Sequence, residues 1–240
     1  MGKRIRAQRR GSSPKNRVRS HRFPGKSKVP RVEGEVAIVS DLVHSPVHTA
    51  PLARVRLDNG NEFFIVATEG MGVGQKVAIG DNVALRPGNI TKLSQIPEGT
   101  PVNNVESRPG DGGKFARSGG NSAVVESNMG DSVRIRLPSG RLKELHSDCR
   151  ATIGVLGGHG RTDKPMMKAG SAHYRAKARG KLYPTVSGVA MNPVDHPHGG
   201  GNHQAVHGPN SVSRHAPPGQ KVGHIAPRRT GRGRSKSKEE

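Results

Sequence analysis

A chain of 240 residues with a formal charge of +22, 31% apolar residues, no Trp, two Tyr and four Phe has little material for one large core. Small cores plus segments ordered by a partner are expected. It holds no run of roughly 18 apolar residues, which excludes a spanning helix; Met1-Gly2-Lys3-Arg4-Ile5-Arg6 lacks the apolar stretch expected of a signal peptide; and the single Cys149 excludes an internal disulfide and fits a reducing cytoplasm.

Charge is segregated along the chain. Residues 1–32 carry twelve Lys or Arg and no acid, residues 33–149 carry twelve basic and fourteen acidic residues, and residues 150–240 carry sixteen basic and four acidic. A near-neutral middle between basic ends is the pattern of a folded module whose extensions neutralise phosphates. Residues 1–32 show no apolar periodicity and are expected to be disordered when free. Gly34–Ser40 is a β-branched run, and Leu52–Leu57 alternates apolar Ala53, Val55 and Leu57 with Arg54 and Arg56. Asp58-Asn59-Gly60-Asn61 predicts a hairpin turn into Glu62–Thr68. Lys76–Ile79 and Asn82–Leu85 follow as short strands, so residues 33–98 predict a small closed barrel. Pro97–Pro101 reads as a linker. Val102–Val105, Ala123–Glu126, Val133–Leu137, Leu142–Leu145 and Ala151–Val155 predict a second β unit over residues 99–165. Lys164–Arg179 predicts one short helix opening a basic extension over residues 166–240, which from Gly180 onward offers Gly, Pro, His and Arg and no further core.

Four groups of residues could carry chemistry. The loop from Arg108 to Gly120 combines glycines, whose N–H groups can approach phosphate, with Lys114, Arg117 and the stacking face of Phe115. It is not a nucleotide P-loop, because Arg108 stands five positions before Gly113 and Phe115 where Ser or Thr is needed. Arg150 opens a strand and has the planar fork that suits phosphate or guanine. Ala190–Gly201 packs Asn192, His196, His198, Gly199, Gly200 and Gly201 around Pro193 and Pro197, in a backbone expected to need an outside template. The tail spaces Arg214, Lys221, Arg228, Arg229 and Arg232 between Gly and Pro, like an arginine-rich arm that folds on RNA. His196, His198, His203, His207 and His215 also admit a zinc reading. No cysteine accompanies them and no regular element presets their geometry.

Together these segments resemble the L-two family, the largest universal protein of the large ribosomal subunit. The resemblance rests on Asn104-Val105-Glu106…Pro109–Gly113, Leu137–Gly140, Cys149–Gly154 and Met191–Gly201. Gln8-Arg9-Arg10-Gly11, Ser20-His21-Arg22 and Ala216–Arg232 are similar to the archaeal and eukaryotic branch, with the archaeal side favoured. The resemblance implies an OB-fold barrel followed by an SH3-like barrel and binding to large-subunit rRNA. It also implies contact with other ribosomal proteins, support of subunit association across the small-subunit interface, and support of tRNA binding and the peptidyl-transferase region. No membrane, homo-oligomer or cofactor is implied, and Mg²⁺ is expected only through bound rRNA in the cytoplasm. It marks Arg150 as an RNA-contacting residue and ties His196 to peptidyl-transferase function; with no nucleophile and no preset partner in its segment, His196 is read here as structural support for rRNA rather than a catalyst. With them Arg9, Arg10, His21, Arg22, Arg54 and Lys114 are expected to face RNA. The chain departs from the family at Ser45-Pro46-Val47-His48-Thr49-Ala50, where His48 replaces an RNA-bound arginine. That leaves the contact weaker, pH-sensitive or taken over by Arg54 or Arg56. A free RNA-binding regulator or chaperone, and a zinc-dependent hydrolase built on the histidines, are the alternatives from other classes.

Overall fold

A computed structural model describes residues 2–11, 13–18, 20–32 and 34–230. The chain is mainly β and divides into two compact units, Arg19–Ser171 and Met1–Val18 with Ala172–Glu240. The expected division assigned all of residues 1–32 to one arm; the observed division separates them at residue 18.

In the unit Arg19–Ser171, β-branched and alternating segments form β1 (Glu35–Val43), β2 (Leu52–Leu57), β3 (Glu62–Val66), β4 (Lys76–Ile79), β5 (Ile90–Lys92), β6 (Pro101–Asn103), β7 (Ala123–Asn128), β8 (Ser132–Arg136), β9 (Leu142–His146) and β10 (Arg150–Ile153). They join in the order β3-β2-β1-β4-β5-β10-β6-β7-β8-β9. The β4–β5 pair is parallel and its nine-residue neighbour β1 runs antiparallel to both β2 and β4. The β2–β3 hairpin turns where the sequence predicts. Gly60 takes a φ of 85°, and the Asn59 side chain accepts the Asn61 N–H at 3.0 Å. Inward residues make two cores. One gathers Val29, Val39, Val55, Ile65, Val77, Ile79 and Ile90. The other gathers Leu93, Val102, Val125, Val133, Ile135 and Ile153.

One expected strand is absent. Asn82–Leu85 forms no ladder, because Asn82 adopts a left-handed φ of 52° and Asn89 does the pairing instead. The Asn89 side chain accepts the Ala78 N–H at 3.0 Å and donates to the Ala84 carbonyl at 2.9 Å, so the chain loops out and returns as β5. Sequence reading missed β5, a three-residue strand behind Pro87 and Gly88.

Residues 27–31 belong to the β unit rather than to a loose arm. Val29 is buried in the first core, the Lys28 N–H donates to the Phe64 carbonyl at 2.9 Å, and the Val29 N–H donates to the Gly112 carbonyl at 3.2 Å. Limited trypsin digestion of the free protein should therefore cut slowly after Lys28 and rapidly after the exposed Arg9 and Arg10. Rapid cleavage after Lys28 would contradict this docking.

The second unit is built differently. It contains the five-residue α1 (Arg6–Arg10), most of α2 (Ala169–Ala178), which buries no residue, and a parallel pair of two-residue strands, β11 (Ser211–Val212) and β12 (His224–Ile225). The sequence predicted α2 within Lys164–Arg179 but neither α1 nor this pair. It also predicted no core after Gly180, whereas Val222 is buried. Among the described residues of this unit, Ile5 and Val222 are the only buried apolar side chains. Its described residues include fifteen Lys and Arg against one carboxylate, Asp195.

Candidate nucleic-acid interface

The glycine-rich loop after β6 does cradle an anion, and that anion is the protein's own. Glu106, fully buried, accepts the Gly110 N–H at 3.0 Å, the Gly112 N–H at 2.9 Å and the Arg150 N–H at 3.0 Å. The Arg150 guanidinium closes on the same carboxylate through Nη2 at 3.0 Å and Nε at 3.4 Å, and Nη1 donates to the Pro30 carbonyl at 2.7 Å. Burial pushes the Glu106 carboxyl upward, but the Arg150 side chain and the N–H groups of Arg150, Gly112 and Gly110 outweigh it. They hold Glu106 below the ordinary Glu value. The neighbouring Asp111 takes the Ser107 and Gly113 N–H groups at 3.1 and 3.0 Å.

In this structure the loop N–H groups and the Arg150 fork serve an internal carboxylate. Arg150 is 6% exposed and its fork is spent on Glu106 and Pro30. Arg117 plays a similar part, donating to the Gly113 carbonyl at 3.0 Å and the Ser27 carbonyl at 2.8 Å. Phe115 packs on the second core, and Lys143 Nζ already sits 5.1 Å from its ring centroid. Of the loop residues proposed to meet RNA, Lys114 is the one left exposed. Arg54 lies over the Phe64 ring at 5.7 Å. His48 Nδ1 is 2.8 Å from the Ser45 hydroxyl. Burial, and then the Arg117 charge, push its pKa below the usual 6.5, so at neutral pH it is an uncharged imidazole and no substitute for an arginine's charge.

The Met191–Gly201 segment is braced from within. The Asp195 N–H donates to the Asn192 carbonyl at 2.9 Å, the Gly199 N–H to His196 at 2.9 Å and the Gly200 N–H to Met191 at 3.1 Å. The Lys3 N–H reaches the Val194 carbonyl at 2.9 Å. A methyl at Gly199 would strike the Asn192 and Met191 carbonyls, and one at Gly188 would overlap the His196 ring. Gly200 and Gly201 take φ values of 85° and 87°. The His196 ring accepts the His198 N–H on Nδ1 at 3.0 Å and meets the His198 ring edge-on at 5.1 Å. Burial, and then the His198 charge, keep its pKa below the usual 6.5. With Nδ1 used as an acceptor, Nε2 carries the proton and is free to donate. Among the described residues no three His, Cys, Asp or Glu are grouped as a metal site requires.

His21 and Arg22 lie exposed on a 3₁₀ turn, Ser20–Arg22. In the other unit Arg9, Arg10, Asn192, Gly201, Arg214, Arg228 and Arg229 are exposed, whereas His196, His198, Gly199 and Gly200 are half-buried. Lys221 is half-buried, and Arg232 lies outside the described residues.

Comparison with known families decides the family. Residues 86–221 match the description "Ribosomal Proteins L2, C-terminal domain", and residues 2–79 match "Ribosomal Proteins L2, RNA binding N-terminal domain". The chain belongs to the ribosomal protein L2 family. A relative from Archaeoglobus fulgidus is 52% identical over 96% of this chain and 99% of its own length. Relatives from Sulfurisphaera tokodaii and Haloarcula marismortui are each 50% identical, over 97% of this chain and 98% and 99% of their own lengths. All three are named large ribosomal subunit protein uL2.

Within this L2 chain, sequence reading missed the central part of Glu106, although the motif Asn104-Val105-Glu106 was in view. Its neighbour Cys149 is buried in the second core. Burial, then the Glu106 and Asp111 charges, push its thiol up to about 11. A thiol-alkylating reagent at pH 7 should therefore leave Cys149 unmodified in the folded protein and label it once denatured. Rapid native labelling would show that this core opens readily.

Proposed function

We propose that this L2 protein is a structural constituent of the large ribosomal subunit that binds large-subunit rRNA. One observation carries the reading: the unit of residues 1–18 and 172–240 sets fifteen cations against one carboxylate and buries only Ile5 and Val222 among its described residues. Such a body has almost no core to offset its self-repulsion, and a polyanion supplies what it lacks. The relatives' shared name places those proteins in the large ribosomal subunit. Residues 33–98 and 99–165 serve as OB-fold-like and SH3-like modules. Arg9, Arg10, His21, Arg22, Lys114, Arg214, Arg228 and Arg229 meet phosphates. Other ribosomal proteins and the small subunit are neighbours in the cytoplasmic ribosome, where the protein supports tRNA binding and the peptidyl-transferase region. No residue is assigned a catalytic step. Among the described residues no helix is long and apolar enough to cross a membrane.

His196 acts here by position. Its Nδ1 is occupied by the His198 N–H and its ring is wedged against Gly188, so the imidazole is a fixed donor rather than a proton carrier. Large subunits assembled with His196→Gln should retain much of their peptide-bond activity, whereas His196→Ala should impair assembly or activity. Loss of the chemical step in fully assembled Gln subunits that still bind tRNA would overturn the positional reading. The rRNA reading itself is tested with the purified full-length protein. It should bind deproteinised large-subunit rRNA well above small-subunit rRNA, and equal affinity for both would contradict it.

A further inference from the structure

A groove of about 510 Å³ in the unit of residues 1–18 and 172–240 joins Arg9 and Arg10, read above only as phosphate-meeting cations, to an apolar wall that none of the motifs above uses. Leu182, Tyr183 and Pro184 supply its apolar lining, and Arg6, Arg9 and Arg10 of α1 supply its charge. No carboxylate lines it. Tyr183 is one of two tyrosines in a chain without tryptophan, and it stays 38% exposed here rather than joining a core. Its volume lies within the roughly 300–1,000 Å³ of sites that hold a small organic group.

An aromatic face beside three guanidinium forks fits one kind of occupant. A nucleotide carries a flat base and an anionic phosphate on one short frame, and every base has a face that stacks. Only an unpaired base splayed from its helix can enter such a groove. An apolar peptide would leave the three arginines unmatched, and a free phosphate would leave the aromatic lining bare. We propose that this groove holds one unpaired nucleotide of the bound rRNA, its base stacked on Tyr183 and its phosphates held by Arg6, Arg9 and Arg10. The proposal rests on the rRNA reading above and adds to it a definite slot. The five-residue α1 contributes its side chains there. Its Ile5 N–H end is closed by the Gln8 side chain at 2.9 Å.

The test uses full-length protein assembled on deproteinised large-subunit rRNA. Short-wave ultraviolet irradiation, digestion with nuclease and trypsin, and mass spectrometry map the peptides that carry a nucleotide. The slot predicts a mononucleotide adduct that fragmentation localises to Tyr183 itself, within the tryptic peptide Leu182–Arg214 that also carries His196. Tyr183→Phe keeps the adduct and the affinity. Tyr183→Ala and Tyr183→Leu lose the adduct and weaken rRNA binding roughly 5- to 150-fold, the scale of one base–aromatic stack, with thermal unfolding unchanged for Leu. Adducts confined to other residues, together with wild-type affinity in the Ala or Leu variant, would overturn the slot while leaving rRNA binding intact. Failure of the wild-type protein to bind rRNA at all would instead remove the underlying reading, and the slot with it.

Discussion

Replacing Arg150 with alanine is expected to destabilise the free protein by about 3–5 kcal/mol, the usual cost of stranding a buried charge by removing its partner. The charge left behind is Glu106, fully buried and bound at both oxygens by Arg150. The Pro30 carbonyl loses its donor as well, so the docked segment at residues 27–31 should loosen together with the second core. Arg150→Lys keeps a charge but cannot span both carboxylate oxygens and Pro30, and about half of the loss should remain. Denaturant unfolding of the purified variants reads these values. A loss below about 1 kcal/mol for the alanine variant would mean that the pair is not the keystone described here. The same pair sets a pH dependence. Folding lowers the Glu106 pKa, so the stabilisation is complete above the ordinary Glu value of about 4.3 and disappears as pH falls through the lower folded value. Glu106→Gln should be less stable at neutral pH and should show a flatter acid limb than the wild type.

A second large effect is expected in RNA binding. Each phosphate neutralised by Lys or Arg releases counterions, and a protein making roughly 6–10 phosphate contacts loses about 10³–10⁵-fold in affinity between 50 and 200 mM salt. The arginines at positions 9, 10, 22, 214, 228 and 229, with Lys114, are exposed and match that number of contacts. Filter binding of the full-length protein to large-subunit rRNA across this range should give such a slope. Arg9→Ala with Arg10→Ala should make the slope shallower by about two. A flat salt response would mean that the cations serve solubility alone.

The strands were legible wherever a period-two pattern ran for four or more residues. β2 lies where alternation places it, β4 where a short strand was expected, and the Asn59-Gly60 turn lies between its expected strands. β5 was not legible, because three residues carry no period and its partners are set by Asn89 across a loop. The loop at Arg108–Gly120 was legible as an anion cradle but not as an occupied one. Glu106 and Arg150 are 44 residues apart and Arg150 and Pro30 are 120 apart, so nothing local announces that they meet. His48 was legible as a departure from the arginine pattern. Its neutrality comes from burial beside Arg117, which only the folded chain reveals. The compactness of Met191–Gly201 was hidden for a related reason: glycines read as freedom, whereas here they are where backbone and rings come closest.

The central claim is that this chain works as a resident of the large ribosomal subunit. Sucrose-gradient sedimentation of a lysate from cells expressing the full-length protein at its native level, at moderate salt, tests it most directly. Nearly all of the protein should travel with large subunits and whole ribosomes, and move to the top of the gradient only when high salt strips the particles. A protein found mainly at the top at moderate salt, with large subunits intact and lacking it, would contradict the claim.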